Sequence, residues 1–134
     1  MLLKGNTNLF KIKFYKDGQG NEPIKAFLDD MKKKAATNKV ERVRLKKIVE
    51  YLSVLEEHGV KVGEPYVKHI VDDIWELRPT NDRVFFFHWQ NRIFILLHHF
   101  AKKTRKTPPS EIAQAKRNQK DFLGNYEERG FSDE

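Results

Sequence analysis

Cysteine is absent from the 134-residue chain, which removes disulfides, thiolate metal sites and cysteine nucleophiles together and fits a reducing compartment. No run approaches the roughly 18 uncharged apolar residues that a membrane-spanning helix needs. The start "MLLKGNTNLF" is too short and polar for a signal peptide. The expected location is therefore the cytoplasm, with no membrane partner. Serine is scarce: Ser53, Ser110 and Ser132 have no glycine-flanked elbow around them, so a serine nucleophile has no support. Gly18 and Gly20 in "KDGQGNEP" lack the third glycine of a nucleotide-binding loop, and the segment reads as a turn.

Cations are in excess. Lys and Arg number 26 against 19 Asp and Glu, for a net charge of +7 and a pI near 9.6. The resulting field favours polyanions such as nucleic acid, or an acidic protein partner, although a basic surface that is simply tolerated would look the same. Apolar residues make up 39%, with ten Phe and two Trp, enough to pack a core beneath a surface that is well charged. The length suits one domain over residues 1–134, with an acidic tail expected to fray from about residue 124.

"LFKIKFY" alternates apolar residues and lysines as a strand does, and the glycines and Pro23 then break it. With Asn21 as a possible N-cap, Ile24, Phe27, Leu28 and Met31 recur at helical spacing. Asn38 and Glu41 form a capping-box pair ahead of a stripe of Val43, Leu45, Ile48, Val49, Leu52 and Leu55, which stops at His58-Gly59. The short connection makes these helices an antiparallel hairpin. "YVKHIV", "DIWELRP", "RVFFFHW" and "RIFILLHHF" follow as short aromatic and β-branched runs separated by turn residues, a meander of antiparallel strands. Thr107 as N-cap and Pro108 at the first helical position open a last helix. The fold class is α+β: an N-terminal strand and helical hairpin, then an antiparallel sheet and a C-terminal helix. Because the two central strands are apolar in both parities, they should be covered on both faces.

Five histidines invite a metal, but His98 and His99 are adjacent on a strand, point to opposite faces and cannot chelate one ion together, so no metal and no cofactor are expected. Glu76 and Arg78, at i and i+2, share a strand face as an ion pair or as a catalytic pair. Arg83 starts the next strand just past the turn. The loop "KKTRK", Lys102 to Lys106, places four cations between a strand end and a helix start. It is either a phosphate grip or a solvated linker. Pro108 and Pro109 have no N–H to offer an anion, so a grip must rest on side chains, with backbone amides such as that of Thr104 as minor donors. Arg78, Arg83 and this loop can converge on one rim of the sheet, the arrangement a scissile phosphate needs.

In combination, "WELRP", "RVFFF" and "HHFAKKTRKTPPSEIAQAKR" behind a helical hairpin resemble the phage-derived, HigB-like branch of the RelE/ParE toxin superfamily, from the first strand to about Phe122. The resemblance implies a RelE-like α+β fold and the toxin of a type II toxin–antitoxin pair. It also implies ribosome-dependent, metal-free cleavage of mRNA, in which the 2′-OH attacks the adjacent phosphorus. Carried onto this chain, Arg78 and Arg83 resemble phosphate and transition-state stabilisers, and Lys102 and Lys103 the basic residues after the last strand. Lys68, Thr104, Arg105 and Lys106 become RNA contacts. Some relatives place a tyrosine in the C-terminal segment where this chain has Pro108-Pro109, with Tyr126 much farther on, so His99 and Glu76 are the local candidates for proton transfer and His98 the structural histidine.

The implied partners are mRNA, the ribosome and a cognate antitoxin of the helix-turn-helix DNA-binding type, which alone would contact operator DNA. Two other activities stay open on the sequence: inhibition of DNA gyrase, as in the ParE-like members, and non-catalytic nucleic-acid binding.

Overall fold

The computed structural model describes residues 9–129. Along the chain it contains β1 (Lys11–Phe14), α1 (Pro23–Ala35), α2 (Lys39–His58), a 3-10 turn at Gly59–Val62, β2 (Val67–Val71), β3 (Ile74–Leu77), β4 (Asp82–His88), β5 (Ile93–Ala101) and α3 (Pro109–Arg129). This is the α+β, RelE-like order expected from the sequence. The last helix continues through Arg129, beyond the point where fraying was expected; residues 130–134 of that tail lie outside the described residues. Among the described residues no helix is long and apolar enough to cross a membrane.

The five strands form one sheet in the order β1-β5-β4-β3-β2. β2 to β5 make the antiparallel meander, whereas β1 runs parallel to β5, with Ile12 opposite Phe94 and Phe14 opposite Leu96. A parallel neighbour requires a long connection, and the helical hairpin with the meander supplies it.

Local chemistry sets the helix boundaries. Pro23 occupies the first position of α1, with Glu22 rather than Asn21 at the N-cap. Asn21 is instead drawn into the preceding turn, where its N–H donates to Asp17 Oδ1 at 2.9 Å. Asn38 caps α2 as the sequence implies, its Oδ1 accepting from the Glu41 N–H at 3.1 Å. The stripe on α2 is narrower than its pattern: Ile48 and Leu55 are buried, but Val43 and Val49 are 54% and 50% exposed. Val43 lies about 140° around the helix from Ile48, which explains its exposure.

α2 ends at Gly59, whose φ of 65° and ψ of −161° belong to a region open essentially to glycine alone. A Cβ there would sit 2.8 Å from the Phe10 ring. That ring cannot easily give way, because it stacks on Phe94 at 4.9 Å between centroids and carries the Arg92 guanidinium at 4.0 Å. Gly59→Ala is therefore expected to lower stability by on the order of 1–3 kcal/mol, read as a lower urea midpoint at unchanged m-value.

Both faces of the central strands are covered. On one face Ile74, Phe85, Phe87, Ile95 and Leu97 pack with Ala115 and Phe122 of α3. On the other, Val67, Leu77, Val84, Phe86, Phe94 and Leu96 pack with Ile24 of α1 and Leu55 of α2. One irregularity interrupts the β4–β5 ladder: Phe85 opposes His98, but Phe86 opposes Leu96, so Leu97 is an extra, bulged residue. Its carbonyl is taken by Asn118 Nδ2 of α3 at 2.8 Å, and Asn118 Oδ1 accepts from Gln114 Nε2 at 2.9 Å. A buried asparagine thus satisfies a backbone acceptor and ties α3 to the sheet.

Candidate functional site

The end of β3, the turn to β4 and the loop after β5 lie together at one end of the sheet. Glu76 sits on β3 opposite Phe85, on the α3 face, with 1% exposure. Two guanidinium groups lean on its Oε1: Arg78 Nε at 3.3 Å and Arg83 Nε at 3.7 Å. Neither Nε reaches hydrogen-bonding geometry with any acceptor among the described residues. Buried donors left in this state are costly; both face the buried Glu76 carboxylate rather than the surface. Arg78 Nη1 also donates to Glu64 Oε1 at 3.2 Å.

Arg83 is held by the turn. Its Nη1 donates to the Thr80 carbonyl at 2.6 Å and to the Asp82 carbonyl at 2.9 Å. Thr80 adopts φ of 51°, an unfavourable conformation for a β-branched residue, and it places its carbonyl on Arg83. Burial lowers the pKa of Arg83, with the Arg78 charge acting the same way and the Glu76 charge opposing. Even so lowered, a guanidinium remains a cation near neutral pH.

Arg83 joins Asn81, Lys102, Lys103, Thr104 and Arg105 around a surface pocket of about 580 Å³. No carboxylate is among the lining residues. Asn81 and the loop are registered by the Lys102 N–H, which donates to the Asn81 carbonyl at 2.7 Å. The loop is braced internally by Thr104 Oγ1, donating to the Lys106 carbonyl at 2.7 Å. Four cations around one concavity, with backbone geometry fixed on both sides, form a site for an anion.

Thr107 is not the cap of α3. The helix begins at Pro109, one residue later than the sequence implies, with the Glu111 N–H donating to the Pro108 carbonyl at 3.0 Å. The Thr107 hydroxyl instead lies 3.5 Å from Glu76 Oε2. With Thr107 as cap, Pro109 would remove one of the two N–H groups that the hydroxyl could accept from, leaving only that of Ser110; the side chain lies toward the buried carboxylate instead.

Of the residues singled out in the sequence, Glu76, Arg78 and Arg83 form one cluster, and Arg83, Lys102, Lys103, Thr104 and Arg105 share the pocket. Lys106 is exposed outside that lining. Lys68 is exposed on β2 directly opposite Glu76, and hence on the same sheet face one strand outward. His99 is not brought to this cluster, because it projects from the other face of the sheet. There its ring stacks on Phe27 of α1, with centroids 3.7 Å apart, and its Nε2 lies 2.9 Å from Asp82 Oδ1. His98 turns to the α3 face, its Nε2 2.6 Å from Glu111 Oε1.

Asp82 is the residue that sequence reasoning overlooked. It is 2% exposed and receives Arg44 of α2 through both oxygens, Nε to Oδ2 at 3.1 Å and Nη2 to Oδ1 at 2.7 Å. Burial alone would raise its pKa, but hydrogen bonds from His99 and Arg44 and the Arg44 charge outweigh that and hold it at about 2. An ionised carboxylate only accepts hydrogen bonds, so His99 donates from Nε2. In sequence Asp82 reads as a turn residue; the partner that reveals it, Arg44, is 38 positions away.

A family model described as Phage derived protein Gp49-like (DUF891) matches residues 26–120, a span that contains the entire cluster, the pocket and the Asp82 network. No curated protein gives a significant match to the chain. The matched span covers well over half of the sequence and the fold is of the RelE-like kind; the chain belongs to the phage-derived Gp49-like family of RelE/toxin-like proteins.

Proposed function

We propose that this protein is the toxin of a HigB-like type II toxin–antitoxin pair and cleaves mRNA on the ribosome, with the basic pocket taking the scissile phosphate. The observation that carries the reading is Arg83. It belongs at once to the Glu76–Arg78 cluster, which fixes its direction, and to a pocket lined by three further cations. In the reaction the 2′-oxygen bonds to phosphorus and the P–O5′ bond breaks. The 2′-OH loses its proton, the 5′-oxygen gains one, and the ends left are a 2′,3′-cyclic phosphate and a 5′-hydroxyl.

Negative charge accumulates on the non-bridging oxygens along this path. Pre-placed cations that need no reorganisation stabilise that stage more than the starting diester. Arg83, Lys102 and Lys103 serve in that role here, with Arg78 beside them; Thr104, Arg105, Lys106 and Lys68 contact flanking RNA. Glu76 is buried beneath the arginines, so in this reading it orients them and does not meet the substrate. His99, on the opposite face, belongs to the Asp82 network. The partners in this reading are an antitoxin of the helix-turn-helix type, the ribosome and its message.

The test is a translation extract programmed with end-labelled mRNA and supplied with the purified protein. Fragments bearing cyclic-phosphate ends are expected. Intact message together with trapped gyrase–DNA complexes would replace the proposal with gyrase inhibition, and intact message without them would leave a binding module.

A further inference from the structure

The basic pocket is built on one short turn. The Asp82 N–H donates to the Pro79 carbonyl at 3.0 Å and closes it. The three carbonyls that follow all serve the pocket residues: those of Thr80 and Asp82 accept from Arg83 Nη1, and that of Asn81 accepts from the Lys102 N–H at 2.7 Å. The direction of Arg83 and the entry of the Lys102–Lys106 loop therefore depend on the same three peptide groups.

The turn does not hold itself. Thr80 is at φ of 51°, and such a conformation persists only where the surroundings over-determine it. Arg83 is the group being aimed, so a constraint independent of it is needed, and one comes from the opposite face of the sheet. Asp82 turns its side chain to the helical hairpin, as Val84 and Phe86 of the same strand do. There three donors occupy its two oxygens: Arg44 Nε at 3.1 Å, Arg44 Nη2 at 2.7 Å and His99 Nε2 at 2.9 Å.

Both donating residues are themselves fixed. Arg44 also holds Glu41, one turn earlier in α2, at 3.0 Å, and its guanidinium lies 5.9 Å from the Phe27 ring. His99 stacks on that same ring. Side chains of α1, α2 and β5 thus converge on one carboxylate, whose chain neighbours Asn81 and Arg83 both line the pocket. A buried ion pair is often no more stabilising than apolar residues of similar volume, and the core on this face is otherwise a cluster of apolar side chains. What a directional pair adds is a defined backbone position.

We propose that Arg44 and His99 are positioning residues for the reaction: acting through Asp82 from the face opposite the pocket, they hold the turn at residues 79–82 in the geometry that aims Arg83 and seats the Lys102 loop. The link to the reaction rests on the RNA-cleavage reading of the pocket; the holding of the turn does not. None of the described residues that line the pocket belongs to α1 or α2, so the hairpin reaches the site through this carboxylate.

The test compares the unaltered protein with three variants. Arg44→Met keeps the apolar stem and loses the donors, Arg44→Lys keeps one donor, and His99→Phe keeps a ring on Phe27 and loses the bond to Asp82. One readout is amide hydrogen exchange at Lys102, set against that at Tyr15, whose N–H donates to the Leu96 carbonyl at 2.9 Å elsewhere in the sheet. The other is kcat and KM for cleavage of end-labelled message on programmed ribosomes.

In Arg44→Met and His99→Phe, exchange at Lys102 is expected to rise by about tenfold more than at Tyr15, as local opening of the turn requires. In Arg44→Met kcat should fall about 10²-fold, the loss that a small misplacement of a reacting group brings, with KM within about threefold. Arg44→Lys should recover part of both effects. Where Arg44→Met melts early, His99→Phe carries the comparison. A merely structural contribution would accelerate both amides alike and leave kcat of the folded protein unchanged.

Lys102 and Tyr15 moving together in the variants overturns the inference. So does faster exchange at Lys102 with kcat unaltered, which would make the turn loose without consequence for the reaction. If the unaltered protein cuts no message, the cleavage reading falls, and the exchange ratio alone decides whether the turn is held from the hairpin face.

Discussion

Arg83→Lys is expected to lower the message cleavage proposed above by about 10²–10³-fold while leaving the protein folded. A lysine keeps the charge and some reach toward Glu76, but one ammonium cannot reproduce a guanidinium that donates from Nη1 to the Thr80 and Asp82 carbonyls and presents Nε beside Glu76. What is lost is direction rather than charge. Arg83→Ala should abolish cleavage too, but it also removes a support of the strained Thr80 turn and leaves Glu76 with one arginine; the lysine variant is the cleaner probe. The comparison is cleavage rate in the translation extract against urea midpoint. Cleavage by Arg83→Lys within threefold of the unaltered rate would remove Arg83 from the transition state.

Asp82→Ala is expected to cost about 2–4 kcal/mol at neutral pH, toward the lower end of what deleting one partner of a buried ion pair costs, because Arg44 is partly exposed and keeps Glu41. The substitution leaves the Arg44 guanidinium with Glu41 alone and His99 without its acceptor. It also unpins the hairpin from the start of β4.

The same carboxylate gives a pH signature. Its pKa is held at about 2 in the folded protein against an ordinary 3.8. Its contribution is therefore fully present above the unfolded value and disappears as pH falls through the folded one. That difference is worth about 2.5 kcal/mol. Asp82→Asn, which cannot titrate, should lack this part of the acid loss between about pH 5 and pH 2, measured as urea midpoints across the range. Parallel curves for the two proteins would show that Asp82 does not carry it.

Elements whose signals are local were legible in the sequence. The Asn38 cap, the Gly59 stop, the meander and the double burial of β4 and β5 all follow from neighbouring residues, and each is present. The i,i+2 relation of Glu76 and Arg78 and the short turn to Arg83 likewise led to a real cluster. What escaped depends on distance or on irregular backbone. The parallel pairing of β1 with β5 joins segments some 80 residues apart. The Arg44–Asp82 pair spans 38 positions, and Thr80 adopts a conformation that threonine seldom takes. Thr107 shows a different limit: a sound local cap signal was overridden by a buried carboxylate 31 residues away.

The bulge at Leu97 has a consequence for the two histidines. Before it, Ile93 and Ile95 face α3 while Phe94 and Leu96 face the hairpin; after it, His98 and Phe100 face α3 and His99 faces the hairpin. The extra residue thus shifts the strand's alternation by half a period and decides which histidine meets Glu111 and which meets Asp82. A perfectly regular β5 would send each imidazole to the other's carboxylate neighbourhood without changing a single side chain. The identity of this end of the molecule is accordingly stored in the length of a strand as well as in its letters. Asn118, which holds the bulged carbonyl, is the residue that keeps the count.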